Sequence, residues 1–154
     1  MTDRDNNKRG SVIFVDDEPR VLEGLKRMLR AESRSYDFAF AAGGNEALDL
    51  MQKNKFDLVV TDMKMPGMNG VQLLGEVKRY YPDTIRIILS GEIELEMRMR
   101  SVNISHQFLT KPCDSMTLKS AITRTCEISR MFNSVPLKRA LTAMQTLPSL
   151  PSIN

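Results

Sequence analysis

Tryptophan is absent from these 154 residues, histidine occurs once and cysteine twice. Two cysteines, Cys113 and Cys126, cannot make a disulfide framework. On a shared helix their separation in the chain would put them about 20 Å apart, too far to bridge. The lone histidine, His106, lies on a candidate strand and is expected to be a satisfied or surface residue rather than a ligand. No apolar run approaches the ~20 residues that span a bilayer. Residues 1–10 contain no apolar segment, so they are expected to form a solvated, disordered tail and not a secretion signal. Charge of one sign is lacking too. The net charge is +3 and the basic residues are scattered among acidic ones, which gives no footprint for direct nucleic-acid binding. A cytoplasmic setting is expected. With 42% hydrophobic residues the chain can bury one real core.

The apolar residues fall into a repeated strand–helix rhythm. Ser11-Val12-Ile13-Phe14-Val15 is a β-branched run that ends at Asp16-Asp17-Glu18-Pro19. Pro19 suits a first helical turn, and Val21, Leu22, Leu25, Met28 and Leu29 then recur on one helical face. Residues 36–42 are a second strand, broken by Gly43-Gly44-Asn45, and residues 46–53 a second helix. Residues 56–61 read as a buried parallel strand leading into Asp62. Pro66, Gly67, Asn69 and Gly70 keep the next stretch irregular, and Val71, Leu73, Leu74 and Val77 mark a third helix. Residues 84–89 give a fourth strand ending at Ser90-Gly91. Residues 92–100 alternate polar and apolar, as a strand would. However, Glu94/Arg98 and Glu96/Arg100 are acid-to-base pairs at i, i+4, which favours a helix. Residues 106–110 form a fifth strand before Lys111-Pro112, and a last helix capped by Asp114 or Ser115 runs over 116–131. Five such alternations with short connections predict an α/β fold with a five-stranded parallel sheet, doubly wound.

In a parallel sheet the carboxyl ends of the strands share one edge, where ligands bind. Strands one, three, four and five would therefore bring together Asp16/Asp17, Asp62, Ser90 and Lys111. Three clustered carboxylates repel unless a cation joins them. Oxygen-only donors select a hard ion, and Mg²⁺ suits two carboxylates, a carbonyl and waters. Lys111 would oppose that cation, and Ser90 would offer a hydroxyl to a phosphoryl oxygen. Each residue also has a bland explanation as cap, turn former or surface charge. Together and in this order they describe an aspartate that accepts a phosphoryl group by in-line transfer.

Val15-Asp16-Asp17-Glu18-Pro19, Asp62-Met63-Lys64-Met65-Pro66-Gly67-Met68-Asn69-Gly70, Leu89-Ser90-Gly91 and Phe108-Leu109-Thr110-Lys111-Pro112 resemble the receiver domain of bacterial two-component response regulators. The resemblance covers residues 11–132 and implies a flavodoxin-like fold. It implies that Asp62 is the phosphoacceptor, with a histidine kinase or histidine phosphotransfer protein as donor. Asp17, Asp62 and the carbonyl of Lys64 would hold Mg²⁺, and Asp16 would act through water. Ser90 and Phe108 would be the switch pair, Lys111 would contact the phosphoryl group, and the peptide before Pro112 would be cis. Such a domain is not a turnover enzyme, although it assists its own phosphorylation and dephosphorylation. The face made by residues 92–100, the fifth strand and the last helix would signal onward and could form a homodimer. Lys64 and Glu92 flank the path of an attacking water and are expected to tune phosphoryl lifetime.

Residues 133–154 are expected to be a linker helix and the start of a further domain. Leu147-Pro148-Ser149-Leu150-Pro151 and Lys111-Pro112-Cys113-Asp114 resemble regulators with an HDOD or HD-GYP type output domain. Two rivals stand beside this reading. An aspartyl phosphatase needs a second carboxylate two residues after its nucleophile, where this chain has Lys64. A degenerate receiver would serve only as a docking or dimerisation module.

Overall fold

The computed structural model describes residues 8–90, 105, 107–110 and 114–131, and for Ser90, Phe108 and Thr110 the backbone alone. Residues 92–100, His106, Lys111, Pro112, Cys113 and residues 133–154 lie outside the described residues.

Strand β1 (Gly10–Val15) leads into helix α1 (Pro19–Met28), whose first turn holds Pro19. A 3-10 segment (Arg30–Arg34) leads into β2 (Tyr36–Ala41), then α2 (Gly44–Lys53) and β3 (Leu58–Asp62). Helix α3 (Gly70–Tyr80), β4 (Ile85–Ser90), β5 (Gln107–Thr110) and α4 (Ser115–Met131) complete the described chain. The strands pair in parallel in the order β2-β1-β3-β4-β5, the arrangement of doubly wound flavodoxin-like sheets.

Strand alternation divides the core in two. Val12, Phe14, Leu58, Val60, Ile87 and Leu109 meet α1 and α4 on one face. Ile13, Val15, Val59 and Ile88 meet Ala47 and Met51 of α2 and Leu73, Leu74 and Val77 of α3 on the other. Phe14 stacks on Phe40 with ring centroids 5.5 Å apart, which adds to the burial of both rings. Leu118, Ala121, Ile122 and Thr125 turn inward from α4. Asp114 caps that helix by accepting from the Thr117 amide at 2.7 Å, and this bond holds its carboxyl below the usual carboxylate range. No helix among the described residues is long and apolar enough to cross a membrane.

Several boundaries shift by one or two residues from those read in the sequence, and at three of them a side-chain hydrogen bond accompanies the shift. Helix α2 starts at Gly44, not at residue 46. Its bare N-terminus is joined to the preceding turn by Glu46, whose carboxylate accepts from the Ala42 amide at 3.1 Å. Strand β3 starts at Leu58, not at residue 56. Asp57 is diverted into a junction at the base of the sheet, where its carboxylate accepts from the Ser11 amide (2.9 Å) and the Ser129 hydroxyl (3.4 Å). Strand β4 starts at Ile85, not at residue 84, because the Thr84 hydroxyl turns to the Phe56 carbonyl at 3.0 Å.

Two buried ionisable groups also sit away from the carboxylate edge. Arg86 is 2% exposed, and burial pushes its guanidinium down to about 10, still charged at neutral pH. It donates to the Thr84 carbonyl at 3.1 Å. The Cys126 thiol is pushed up to about 12, first by burial and then by Asp57. Since the thiolate is the nucleophile, Cys126 in the native domain is expected to react with iodoacetamide slower than an ordinary cysteine, on the order of a thousandfold. Peptide mapping after timed alkylation checks this, and labelling of Cys126 at the rate of the unfolded chain would refute it.

Candidate functional site

The register decides which strand ends meet. Val15 lies beside both Ala41 and Thr61, Asp62 beside Leu89, and Ser90 beside Thr110. The first residues beyond β1, the last of β3 and β4, and the residue before Lys111 therefore line one edge of the sheet. Asp16 is held there by its own backbone, since its amide donates to the Ala41 carbonyl at 3.1 Å. Its carboxylate accepts from the Glu18 amide at 3.0 Å and so turns the chain into α1. The side chain is buried, whereas Asp17 and Asp62 are partly exposed.

Asp16, Asp17 and Asp62 each offer a carboxylate oxygen, and the three oxygens lie within 4.8 Å of one another. Like charges this close disfavour joint ionisation unless a cation is shared. The donors are all oxygen, with neither imidazole nor thiolate, and so fit Mg²⁺ better than a transition metal. Among the described residues this is the one cluster of its kind.

The loop after Asp62 is built to present residue 64. Met63 and Met65 are buried on either side of it, and Lys64 between them is exposed. Gly67 takes φ +74°, the left-handed region that glycine enters without Cβ strain, and this turns the loop back. The Gly70 amide then donates to the Met63 carbonyl at 2.9 Å. Asn69 starts α3 through a reciprocal capping box with Gln72, at 2.8 and 3.0 Å.

With this geometry in place, comparison with known proteins gives a consistent result. The family profile of the response regulator receiver domain matches residues 12–123. The chain belongs to the receiver domain family. Transcriptional regulatory protein GlrR of Escherichia coli K12 is 33% identical over 125 residues, covering 80% of this chain and 28% of that protein. Hydrogenase transcriptional regulatory protein HoxA of Cupriavidus necator is 33% identical over 109 residues, covering 70% of this chain and 22% of that protein. The chain thus spans about a quarter of the length of these curated relatives. Among solved structures, the signal receiver domain of an HD domain-containing protein from Pseudomonas fluorescens Pf-5 superposes with a TM-score of 0.76. It is 28% identical and covers 80% of this chain and 99% of that one.

Of the receiver residues expected from the sequence, the structure gathers Asp16, Asp17 and Asp62 in one cluster, with Lys64 two residues along the loop. The backbones of Ser90 and Phe108 are on β4 and β5, at or near the same edge. Lys111 and Glu92 lie outside the described residues. Two residues of this receiver domain escaped the sequence reading. Thr61 is fully buried, and its hydroxyl donates to the Asp62 carbonyl at 2.9 Å. Gly70 abuts that same carbonyl. In the sequence Gly70 reads as a loop breaker that closes the receiver-like stretch 62–70, with no role of its own, although Asn69 and Gln72 at capping-box spacing mark a helix start there.

Proposed function

We propose that this domain is a phosphorylation-dependent signalling switch in which Asp62 accepts a phosphoryl group from a histidine kinase or histidine phosphotransfer protein. The observation that carries the reading is the convergence of three carboxylate oxygens from two strand ends within 4.8 Å. A carboxylate oxygen of Asp62 attacks phosphorus in line. The phosphorus–nitrogen bond to the donor imidazole breaks, its electron pair leaves on the imidazole, and an acyl phosphate remains. Asp17, Asp62 and the Lys64 carbonyl would hold Mg²⁺, with Asp16 acting through water. When bound, the ion offsets charge on the transferring oxygens. Lys111 would meet the phosphoryl group from the opposite side.

In the switch we propose, Ser90 closes onto the new oxygens and Phe108 turns into the space it leaves. Inverting a 1:99 population takes about 5.5 kcal/mol, which a few charge-assisted bonds of roughly 1.5–3 kcal/mol each can supply. The altered face, formed by residues 92–100, β5 and α4, would then control an output domain or pair with a second copy. The lengths of GlrR and HoxA support a further domain beyond this one. The likeness to a receiver from an HD domain-containing protein supports an HDOD or HD-GYP type.

Acetyl phosphate with Mg²⁺ tests the core of this reading. The expected result is a single reversible modification at Asp62, without continuing turnover of phosphate esters. Turnover would favour a phosphatase, and no modification at all would favour a docking module. We further propose that Lys64 and Glu92 pair across the path of water and slow hydrolysis. The double substitution Lys64→Ala with Glu92→Ala is expected to shorten the acyl phosphate lifetime several-fold, at the scale of an exposed ion pair of ~1 kcal/mol. An unchanged decay rate would reject the pairing.

A further inference from the structure

We infer that Gly70 is a positioning residue for the Asp62 site, acting by letting the start of α3 press directly on the backbone of the phosphoacceptor. The inference rests on the function proposed above and adds a group to it. A Cβ at position 70 would lie 2.2 Å from the Asp62 carbonyl oxygen, 2.9 Å from Met63 Cα and 3.1 Å from the Asp62 carbonyl carbon. All three are backbone atoms, so no rotamer change relieves the overlap.

The same stretch is fixed by two hydrogen bonds. Thr61 Oγ1 donates to the Asp62 carbonyl at 2.9 Å, and the Gly70 amide donates to the Met63 carbonyl at 2.9 Å. Consecutive peptide carbonyls, 62 and 63, are thus held against the helix start. The peptide units they belong to join the two loop groups assigned to the cation, the Asp62 carboxylate and the Lys64 carbonyl. Position 70 therefore sets where those two oxygens stand relative to each other.

Other glycines behave differently. A Cβ at Gly44 would meet the Met68 side chain, with Sδ at 2.6 Å, Cγ at 2.9 Å and Cβ at 3.1 Å, but no backbone atom of Asp62 or Met63, and a Cβ at Gly75, within α3 itself, would meet nothing within 4 Å. A Cβ at Gly67 would meet nothing within 4 Å. Among the described glycines, pressure on the phosphoacceptor backbone is particular to Gly70.

The test compares Gly70→Ala with Gly75→Ala and wild type, using calorimetric Mg²⁺ titration, acetyl phosphate uptake at saturating Mg²⁺, and circular dichroism to confirm folding. Gly70→Ala is expected to weaken Mg²⁺ binding by tenfold or more. It should also slow uptake by about a hundredfold, the scale of an ångström misplacement at a reacting group. Gly75→Ala should keep both quantities within about twofold, since its added methyl meets nothing within 4 Å. A purely structural role would lower stability without moving the Mg²⁺ affinity of the folded protein.

If Gly70→Ala does not fold, Thr61→Val takes its place. It removes the hydroxyl that holds the same carbonyl while keeping the buried volume, and it is expected to weaken Mg²⁺ binding several-fold. Wild-type affinity and uptake in the folded Gly70→Ala protein, or wild-type affinity in Thr61→Val where that variant stands in, would overturn the inference. A wild-type chain that binds Mg²⁺ but takes up no phosphoryl group would sink the proposed function while the Mg²⁺ titrations still decide the role of Gly70. A wild-type chain that binds no Mg²⁺ would overturn both.

Discussion

Asp62→Asn is expected to abolish phosphoryl uptake from acetyl phosphate, by more than about a thousandfold, or at least ~4 kcal/mol of barrier. The neutral amide oxygen is a far weaker nucleophile than a carboxylate, and the neighbouring acids are poorly placed to replace it. Asp16 is buried and already accepts from the Glu18 amide, so its carboxylate is committed to turning the chain into α1. Asp17 is two residues before Pro19 on the other strand end, with no loop behind it comparable to the one that carries Lys64. The fold should survive, because Asp62 is partly exposed and an amide fills the same volume. Intact-mass measurement after incubation with Mg²⁺ and acetyl phosphate gives the readout. Wild type should gain one phosphoryl group and the variant none. An equal gain in the variant, mapped to Asp16 or Asp17, would remove Asp62 from its assigned role.

The difference between what the sequence made legible and what it did not follows the reach of each signal. Runs such as Val12-Ile13-Phe14-Val15 and Leu58-Val59-Val60 announce strands buried on both faces, and Asp16, Asp17 and Asp62 follow or end them. Parallel pairing then brings those acids together without any further information. The capping of α4 by Asp114 is equally local, since cap and amide are three residues apart. Several of the missed features join residues that no local pattern relates. Asp57 reaches Ser11 and Ser129, the Thr84 hydroxyl reaches Phe56, and Gly70 meets a backbone eight positions earlier through an irregular loop. Neither periodicity nor propensity encodes such contacts. A glycine demanded by a close backbone approach looks the same in sequence as one demanded by a turn. Gly67, with its positive φ, and Gly70, without a Cβ-sized gap, sit in one loop and are glycines for different reasons.

Magnesium is expected to stabilise the wild-type domain against urea by about 2.7 kcal/mol at a hundred times its dissociation constant, as binding to the folded state alone requires. Asp17→Asn should remove most of that gain. In metal-free buffer the same substitution should act in the opposite direction. Three carboxylate oxygens within 4.8 Å repel one another, and two like charges about 4 Å apart cost ~1 kcal/mol in water-like surroundings. Asp17 and Asp62 are partly exposed, so the low end of the range applies, and the neutralised variant should gain up to about 1 kcal/mol without the ion. The two proteins should therefore exchange rank, with the variant more stable in EDTA and wild type more stable in Mg²⁺. Sodium chloride at matched ionic strength separates binding from screening, since screening acts on both proteins at exposed charges. With no tryptophan in the chain, far-ultraviolet circular dichroism is the suitable probe. Equal stabilisation of both proteins by Mg²⁺ would mean that Asp17 is not a ligand. An exchange of rank has one physical source: the carboxylate that destabilises the empty cluster is the one that holds the cation.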